Sequence, residues 1–340
     1  MDNNEKQSQP TRLSDIADAV GVSRITVSKV LLGTGGQNVR VSEPTRNKIL
    51  AVAFSMNYRP NMIARTLAGK RSGILGLLID SHSAPRYYEC LKNIETAASE
   101  KGYRLMIAQQ HENADDIIEH LMDFYTYGAE GIISFVHDYP GLKDKINEFM
   151  RIIPNVVYIG RPDFEPASSV EVDTEGGIRM IMAHLIKEKR KRIGVFLSNP
   201  AYRVIKSRHA GYVSSLTSHG FEVDSSLIMV DEAFKVINPE NISKIINRLV
   251  LEGKADAVVA QNDLYAASII DALREQGRDV PSDVAVTGFD DEEFAKFFSP
   301  SITTVRQPFD RVAVEAVNML HGMICGEGGG RHVALQPEFT

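Results

Sequence analysis

The 340-residue chain has two cysteines, Cys90 and Cys325. Two cannot build the disulfide framework of a secreted domain, and so low a content fits a reducing, cytoplasmic compartment. Long apolar runs are missing as well. No stretch approaches the ~20 apolar residues needed to cross a bilayer, so no membrane partner is expected. The first ten residues, MDNNEKQSQP, lack the apolar centre of a secretory signal and read as a disordered tail, 1–10. The nine histidines show neither HExxH nor paired Cys/His spacing, which leaves a metal site without support. No G-x-S-x-G nucleophile elbow occurs. The glycine-rich GTGGQN at 33–38 follows a helical pattern, not a strand, and so lacks the context of a phosphate loop. No catalytic residue, cofactor or metal is expected.

What the chain does have is clearest near its start. In LSDIADAVGVSRITVSKVLLG, apolar Leu13, Ile16, Ala17 and Val20 recur at i, i+3, i+4 and i+7, one face of a helix. Gly21 suits the left-handed position that ends it, and Ser23 stands where its hydroxyl can cap a second helix carrying Val27, Val30 and Leu31. Two such short helices need a third to close a core. VSEPTRNKILAVAFSMNY supplies it, with Ser42 as cap, Pro44 in the first turn, and Ile49, Val52, Ala53 and Met56 as its stripe. The pattern matches a helix-turn-helix, although the spacing alone also suits any small helical bundle. Charge sharpens the reading. Residues 1–71 carry 11 Lys+Arg against 5 Asp+Glu, a balance of +6, while the remainder carries 27 against 39, a balance of −12. A basic head on an acidic body fits a polyanionic partner for the head.

Three runs in this region occur in order: Val-Ser-x-x-Thr-Val-Ser from Val22 to Ser28, Asn-Tyr-x-Pro-Asn from Asn57 to Asn61, and Leu-Ala-Gly-Lys from Leu67 to Lys70. With them the chain closely resembles the LacI family of bacterial transcription repressors, over nearly its whole length. The resemblance implies a helix-turn-helix domain at 11–60, a hinge helix at 61–71 and an effector-binding and dimerisation domain at 72–340. It implies a homodimer on a pseudo-palindromic duplex operator. The second helix enters the major groove N-terminus first, so Ser23, Arg24, Ile25, Thr26, Ser28 and Lys29 are the expected DNA contacts. Arg24 can bond a guanine twice and Ile25 can touch a thymine methyl. Tyr58, Asn61 and Ala64 join them, and Leu67 matches the leucine that wedges into the minor groove. The family usually has arginine at Lys29, asparagine at Leu32 and a shorter loop than 33–41.

From Ile74 onward short apolar runs alternate with helical patterns: GILGLLI, YRLMIA, GIISFV and NVVYIG, then RIGVFL, SLIMV, ADAVVA and DVAVTGF. Fully apolar strands between helices mean parallel sheets covered on both faces. The rhythm breaks at RPDFEPASSVEVD, which reads as an irregular crossover between two subdomains. The expected fold is a small all-α head on a two-lobed α/β domain. The family resemblance makes that domain similar to periplasmic sugar-binding proteins. The first lobe is expected at about 72–168 and 303–335, the second at about 169–302 and 336–340. The chain stops at VALQPEFT, where family members usually run on by a few residues, so the last strand is expected to be trimmed.

In such folds the ligand meets the carboxyl ends of the strands. Polar residues stand there: Arg86 and Tyr87, Arg161, Gln261 with Asn262 and Asp263, and Asp290 with Asp291. The resemblance adds Arg208, in Arg208-His209-Ala210-Gly211, and selects Asn262 and Asp290 as effector contacts; Phe234 completes the set as an aromatic. The local alternative for Asn-Asp or Asp-Asp is a helix cap followed by a first-turn carboxylate, and it is the expected role of Asp263 and Asp291. Arg86 stands where the family often has an aromatic; the place of the family's aspartate after NVVYIG is Gly160 here, followed by Arg161. Two added arginines point to an anionic effector such as a sugar acid or phosphosugar. The basic run KEKRKR at 187–192 ends a helix, where the dipole favours cations, and is read as structural. Two other classes remain. A solute-binding protein would share the body but not the basic head. A dinucleotide-binding enzyme would need a G-x-G-x-x-G after the first strand, where DSHSAP stands instead.

Overall fold

The computed structural model describes residues 11–33, 40–58, 71–80, 86–110, 114–135, 143–153, 155–162, 164, 166–198, 202–231 and 237–340. The chain divides into two units between Ser72 and Gly73. The first is the head: α1 (Leu13–Val20), α2 (Arg24–Leu32) and α3 (Glu43–Ser55). Gly21 adopts φ 77° and its N–H returns to the Ala17 carbonyl at 2.9 Å, which stops α1. The Ser23 hydroxyl then accepts the Thr26 N–H at 3.1 Å, and that of Ser42 accepts Thr45 N–H at 3.4 Å. Ile16, Ala17, Val20, Val27, Ile49 and Ala53 form the core. Most of the expected hinge helix (61–70) and the expected tail (1–10) lie outside the described residues.

The second unit is α/β. Its first sheet has the order β11-β5-β4-β3-β1-β2, all parallel. The strands are β1 (Ile74–Asp80), β2 (Arg104–Gln110), β3 (Gly131–Ser134), β4 (Val156–Ile159), β5 (Ser168–Val172) and β11 (His332–Leu335). α4 (Arg86–Glu100) and α11 (Phe309–Ile324) cover one face, α5 (Ala114–Thr126) and α6 (Lys143–Ile152) the other. Along β1, Leu75 and Leu77 enter the first of these cores and Leu78 the second, which is why the strand is apolar throughout.

The second sheet has the order β7-β6-β8-β9, also parallel, from β6 (Ile193–Ser198), β7 (Ile228–Asp231), β8 (Ala257–Val259) and β9 (Ala285–Thr287). α7 (Thr174–Lys187) and α8 (Arg203–Ser218) lie on one face. α9 (Pro239–Ile245), a π-helical turn over Ile246–Glu252, and α10 (Asp263–Glu275) lie on the other. A short antiparallel pair, β10 (Val305–Arg306) with β12 (Glu338–Phe339), closes the join.

The expected irregular crossover contains strand β5, and the lobe boundary moves from 168 to beyond Val172. Polarity hid the strand: Ser168 and Ser169 are buried, but their hydroxyls are used. Ser168 Oγ accepts the Gly330 N–H at 2.9 Å, and Ser169 Oγ pairs with His332 Nδ1 at 2.9 Å. The chain crosses between the sheets near Asp173, Gln307 and Gln336, where Gln336 Nε2 donates to Asp173 Oδ2 at 3.3 Å.

Candidate functional site

On the head, Arg24 and Ile25 open α2 and are exposed, Ile25 at 59%. An isoleucine so placed on a basic domain fits contact with a base edge better than core packing. Lys29 and Ser28 are half-buried. Ser23 and Thr26 are engaged with each other, their hydroxyls 2.8 Å apart at the start of α2. Tyr58 packs against the head core, and burial raises its phenol pKa. Asn61, Ala64 and Leu67 lie outside the described residues. In the run at 187–192, Arg190 donates to the Pro281 carbonyl at 2.6 Å and Arg192 to that of Gly253 at 2.7 Å, so both arginines serve the fold.

The body's polar cluster grows from α8. Gly211 lies one turn beyond Arg208; a Cβ there would stand 2.6 Å from the Glu175 carbonyl oxygen of α7. The glycine lets the two helices close up, and Arg208 enters the space below the loop after β9. Its guanidinium carbon lies 3.9 Å over the ring of fully buried Phe289. Nη1 donates to the Gln261 carbonyl at 2.6 Å, and Nη2 stands 3.9 Å from Asp290 Oδ1. Both side chains are buried. Nε is buried with no hydrogen-bond partner among the described residues. Burial lowers the guanidinium pKa, while Asp290, Tyr87 and Asp263 act against that.

Asp290 itself is at φ 110°, a strained setting for a residue with a Cβ. Its N–H donates to the Val305 carbonyl at 2.8 Å, and Gln307 Nε2 donates to its Oδ1 at 2.6 Å. The site's second-lobe wall is therefore fastened to a crossover strand. From the first lobe comes Tyr87, in the first turn of α4, held by the rings of Phe135 at 5.1 Å and Phe309 at 5.2 Å. A buried donor-only cation, an acceptor-only carboxylate and an aromatic from the facing lobe together suit a small polyhydroxylated ligand.

The other candidates separate. Asn262 caps α10, its Oδ1 accepting the Tyr265 N–H at 3.0 Å, the local role weighed against its ligand role. Arg161 is half-buried after Gly160. Phe234 and the Arg86 side chain lie outside the described residues. Gln307, Phe289 and Thr304 were not singled out from the sequence. Phe289 carried a signal, as the aromatic of Gly288-Phe289-Asp290-Asp291; Gln307 and Thr304 carried none locally.

Asp263 does occupy the first turn of α10, but its carboxylate points into the fold and is fully buried. Burial pushes its pKa up to about 7, against the pull of hydrogen bonds from Thr304 and the Glu292 N–H; Asp290 and Glu292 add to the rise. A folded value above the unfolded one means stability that is full below about pH 4 and is lost as pH climbs to about 7. The melting temperature of the wild type minus that of Asp263→Asn is thus expected to fall across pH 4–7 and level off above it. A flat difference in calorimetric scans would show that the carboxyl does not titrate there.

Comparison with known proteins agrees with this architecture. Residues 12–61 match the family model for bacterial regulatory proteins, lacI family, and residues 182–340 match that for a periplasmic binding protein-like domain. The ribose operon repressor of Bacillus subtilis (strain 168) is 29% identical over 92% of this chain and 91% of its own. The HTH-type transcriptional repressor PurR of Mannheimia succiniciproducens is 26% identical over 96% of each. Among solved structures, the Lac repressor dimer bound to operator and the anti-inducer ONPF superposes with TM-score 0.83 at 22% identity, over 98% of both chains, a likeness of fold. The transcriptional regulator CelR–cellobiose complex gives 0.70 at 25% identity, again over 98% of both chains. No helix among the described residues is long and apolar enough to cross a membrane. The chain thus carries a lacI-type helix-turn-helix head and a periplasmic-binding-protein-like body, and LacI-family repressors are its homologues along more than nine-tenths of its length.

Proposed function

We propose that this protein is a homodimeric transcriptional repressor whose affinity for a pseudo-palindromic operator is set by a small polar effector, a sugar or sugar derivative, held between the two lobes of its body. The observation that carries the reading is the buried Arg208–Asp290 pair, with an Nε left unbonded among the described residues and Tyr87 facing it from the other lobe. Burying a guanidinium so incompletely paired is costly unless another group binds it. A relative named as the ribose operon repressor and a neighbour in complex with cellobiose support the effector class. A ligand that touches both lobes favours one lobe setting only by its difference in affinity between settings, and the operator affinity follows by linkage.

The DNA-binding half is tested on Arg24. A preferred duplex is first recovered by selection from a random pool with the full chain. Arg24→Ala is expected to lose about 1–3 kcal/mol on that duplex and clearly less on random DNA, read by gel retardation at fixed salt. Equal losses on both would reduce Arg24 to a phosphate contact.

A further inference from the structure

Three consecutive backbone amides of the loop that carries Asp290 bond outside it. The Asp290 N–H reaches Val305, the Asp291 N–H reaches Thr304 Oγ1 at 3.3 Å, and the Glu292 N–H reaches Asp263 Oδ2 at 2.7 Å. The last two meet in one place. Thr304 Oγ1 donates to Asp263 Oδ1 at 2.5 Å, so the threonine hydroxyl accepts a hydrogen bond from the loop and donates one to the carboxylate. Both oxygens of one buried carboxylate therefore grip two segments that are distant in sequence. The Asp263 N–H adds a third tie, to the Phe289 carbonyl at 3.0 Å. A Cβ on Gly288 would strike Asp263 Oδ1, so the carboxylate lies directly against the loop's backbone. Thr304 immediately precedes β10, whose next residues lead into the first lobe and include Gln307, the donor to Asp290.

A local cap accounts for none of this. Asn262 already caps α10, and Asp263 is turned away from the helix end toward the loop and the crossover. The charged groups facing the carboxylate are Asp290 and Glu292 from the loop and Arg208 from α8. Asp291, beside them, pairs with Lys296 at 3.6 Å. Keeping a carboxylate buried next to two others is unfavourable, and a well-packed apolar side chain would fill the volume more cheaply. What only the carboxylate provides is two acceptors set at once toward the loop amide and the threonine hydroxyl.

We propose that Asp263 is a positioning residue of the ligand site: by joining the Glu292 amide and the Thr304 hydroxyl, it holds the strained turn at Asp290 and couples that turn to the strand crossing between the lobes. The proposal rests on the reading of Arg208 and Asp290 as ligand contacts. Its mechanical part does not require a ligand, so the two can fail separately.

The test is hydrogen exchange of the intact, ligand-free chain at pH 8, above the pKa of about 7 at Asp263, read by mass spectrometry on peptides covering 288–306, with the β6 peptide 193–198 as control. In Thr304→Val, exchange at the Asp291 and Glu292 amides is expected to quicken about tenfold, because a bonded amide exchanges only when its bond opens. Asp263→Asn should do the same, since an amide group cannot offer two acceptors. Thr304→Ser keeps the hydroxyl and should exchange as the wild type does. The β6 peptide should be unchanged in all three. Thr304→Val also serves if Asp263→Asn fails to fold. Wild-type exchange in Thr304→Val would overturn the proposal. So would serine behaving as valine does, because the hydroxyl would then not be the tie. Equal quickening of 288–306 and β6 would likewise overturn it, as the signature of general destabilisation.

Discussion

Arg208→Ala is expected to lose about 100-fold or more in effector affinity while leaving ligand-free operator binding at the wild-type level. The guanidinium is the buried cation of the site, stacked on Phe289 and bonded to Gln261, with Nη2 3.9 Å from Asp290 and Nε unbonded among the described residues. A hydrogen bond to a charged group contributes about 1.5–3 kcal/mol, and an arginine can offer a ligand two. Alanine removes them and takes the guanidinium away from Asp290, whose turn is already at φ 110°. Some stability will go as well, because a buried carboxylate loses its counter-charge. The measurement is therefore paired. The wild type is screened by thermal shift against neutral sugars, sugar acids and purine bases, since a bound ligand raises the melting temperature by mass action. The hit is then titrated calorimetrically into both proteins beside their melting curves. Wild-type affinity in a well-folded Arg208→Ala protein would place the ligand elsewhere.

Gly211→Val is expected to cost about 3 kcal/mol or more and to lower the body's melting temperature by roughly 10 °C. Two effects oppose each other. Valine is slightly better than glycine inside a helix, by a few tenths of a kcal/mol. Against that, the first added carbon alone would lie 2.6 Å from the Glu175 carbonyl oxygen and 3.1 Å from Ile178 Cβ. The first is backbone inside α7, so it cannot swing aside as a side chain could. α7 and α8 must separate, and the cost of overpacking exceeds the gain in propensity. The damage should reach the site. α7 also carries Gly177, where a Cβ would stand 2.8 Å from the Phe289 ring, the same ring that supports Arg208. Moving α7 therefore shifts the surface under the guanidinium, and effector affinity should fall with stability. Differential scanning calorimetry decides the first point: an unchanged melting temperature would mean that the helices part at no cost.

These expectations show where local pattern ends. The head was legible because each of its features depends on neighbours within one helical turn. Apolar positions at 13, 16, 17 and 20 define a face, Gly21 suits the left-handed stop, and Ser23 and Ser42 bond amides three residues on. The apolar strands were legible for a similar reason: a strand buried on both faces can carry little else. Strand β5 was missed because its buried serines find their partners at Gly330 and His332, far along the chain. Arg208 and Asp290 were named through family motifs, but their pairing, the Phe289 face beneath them and the Gln307 donor appear only once the sheet ends and the crossover are in place. Asp263 marks the boundary most clearly. By its position it is a first-turn carboxylate next to a capping asparagine, and it is that. Its function as a tie to Thr304 and Glu292 was decided by tertiary structure alone, because which donor meets a buried carboxylate depends on which distant segments the packed lobes bring within 3 Å of it.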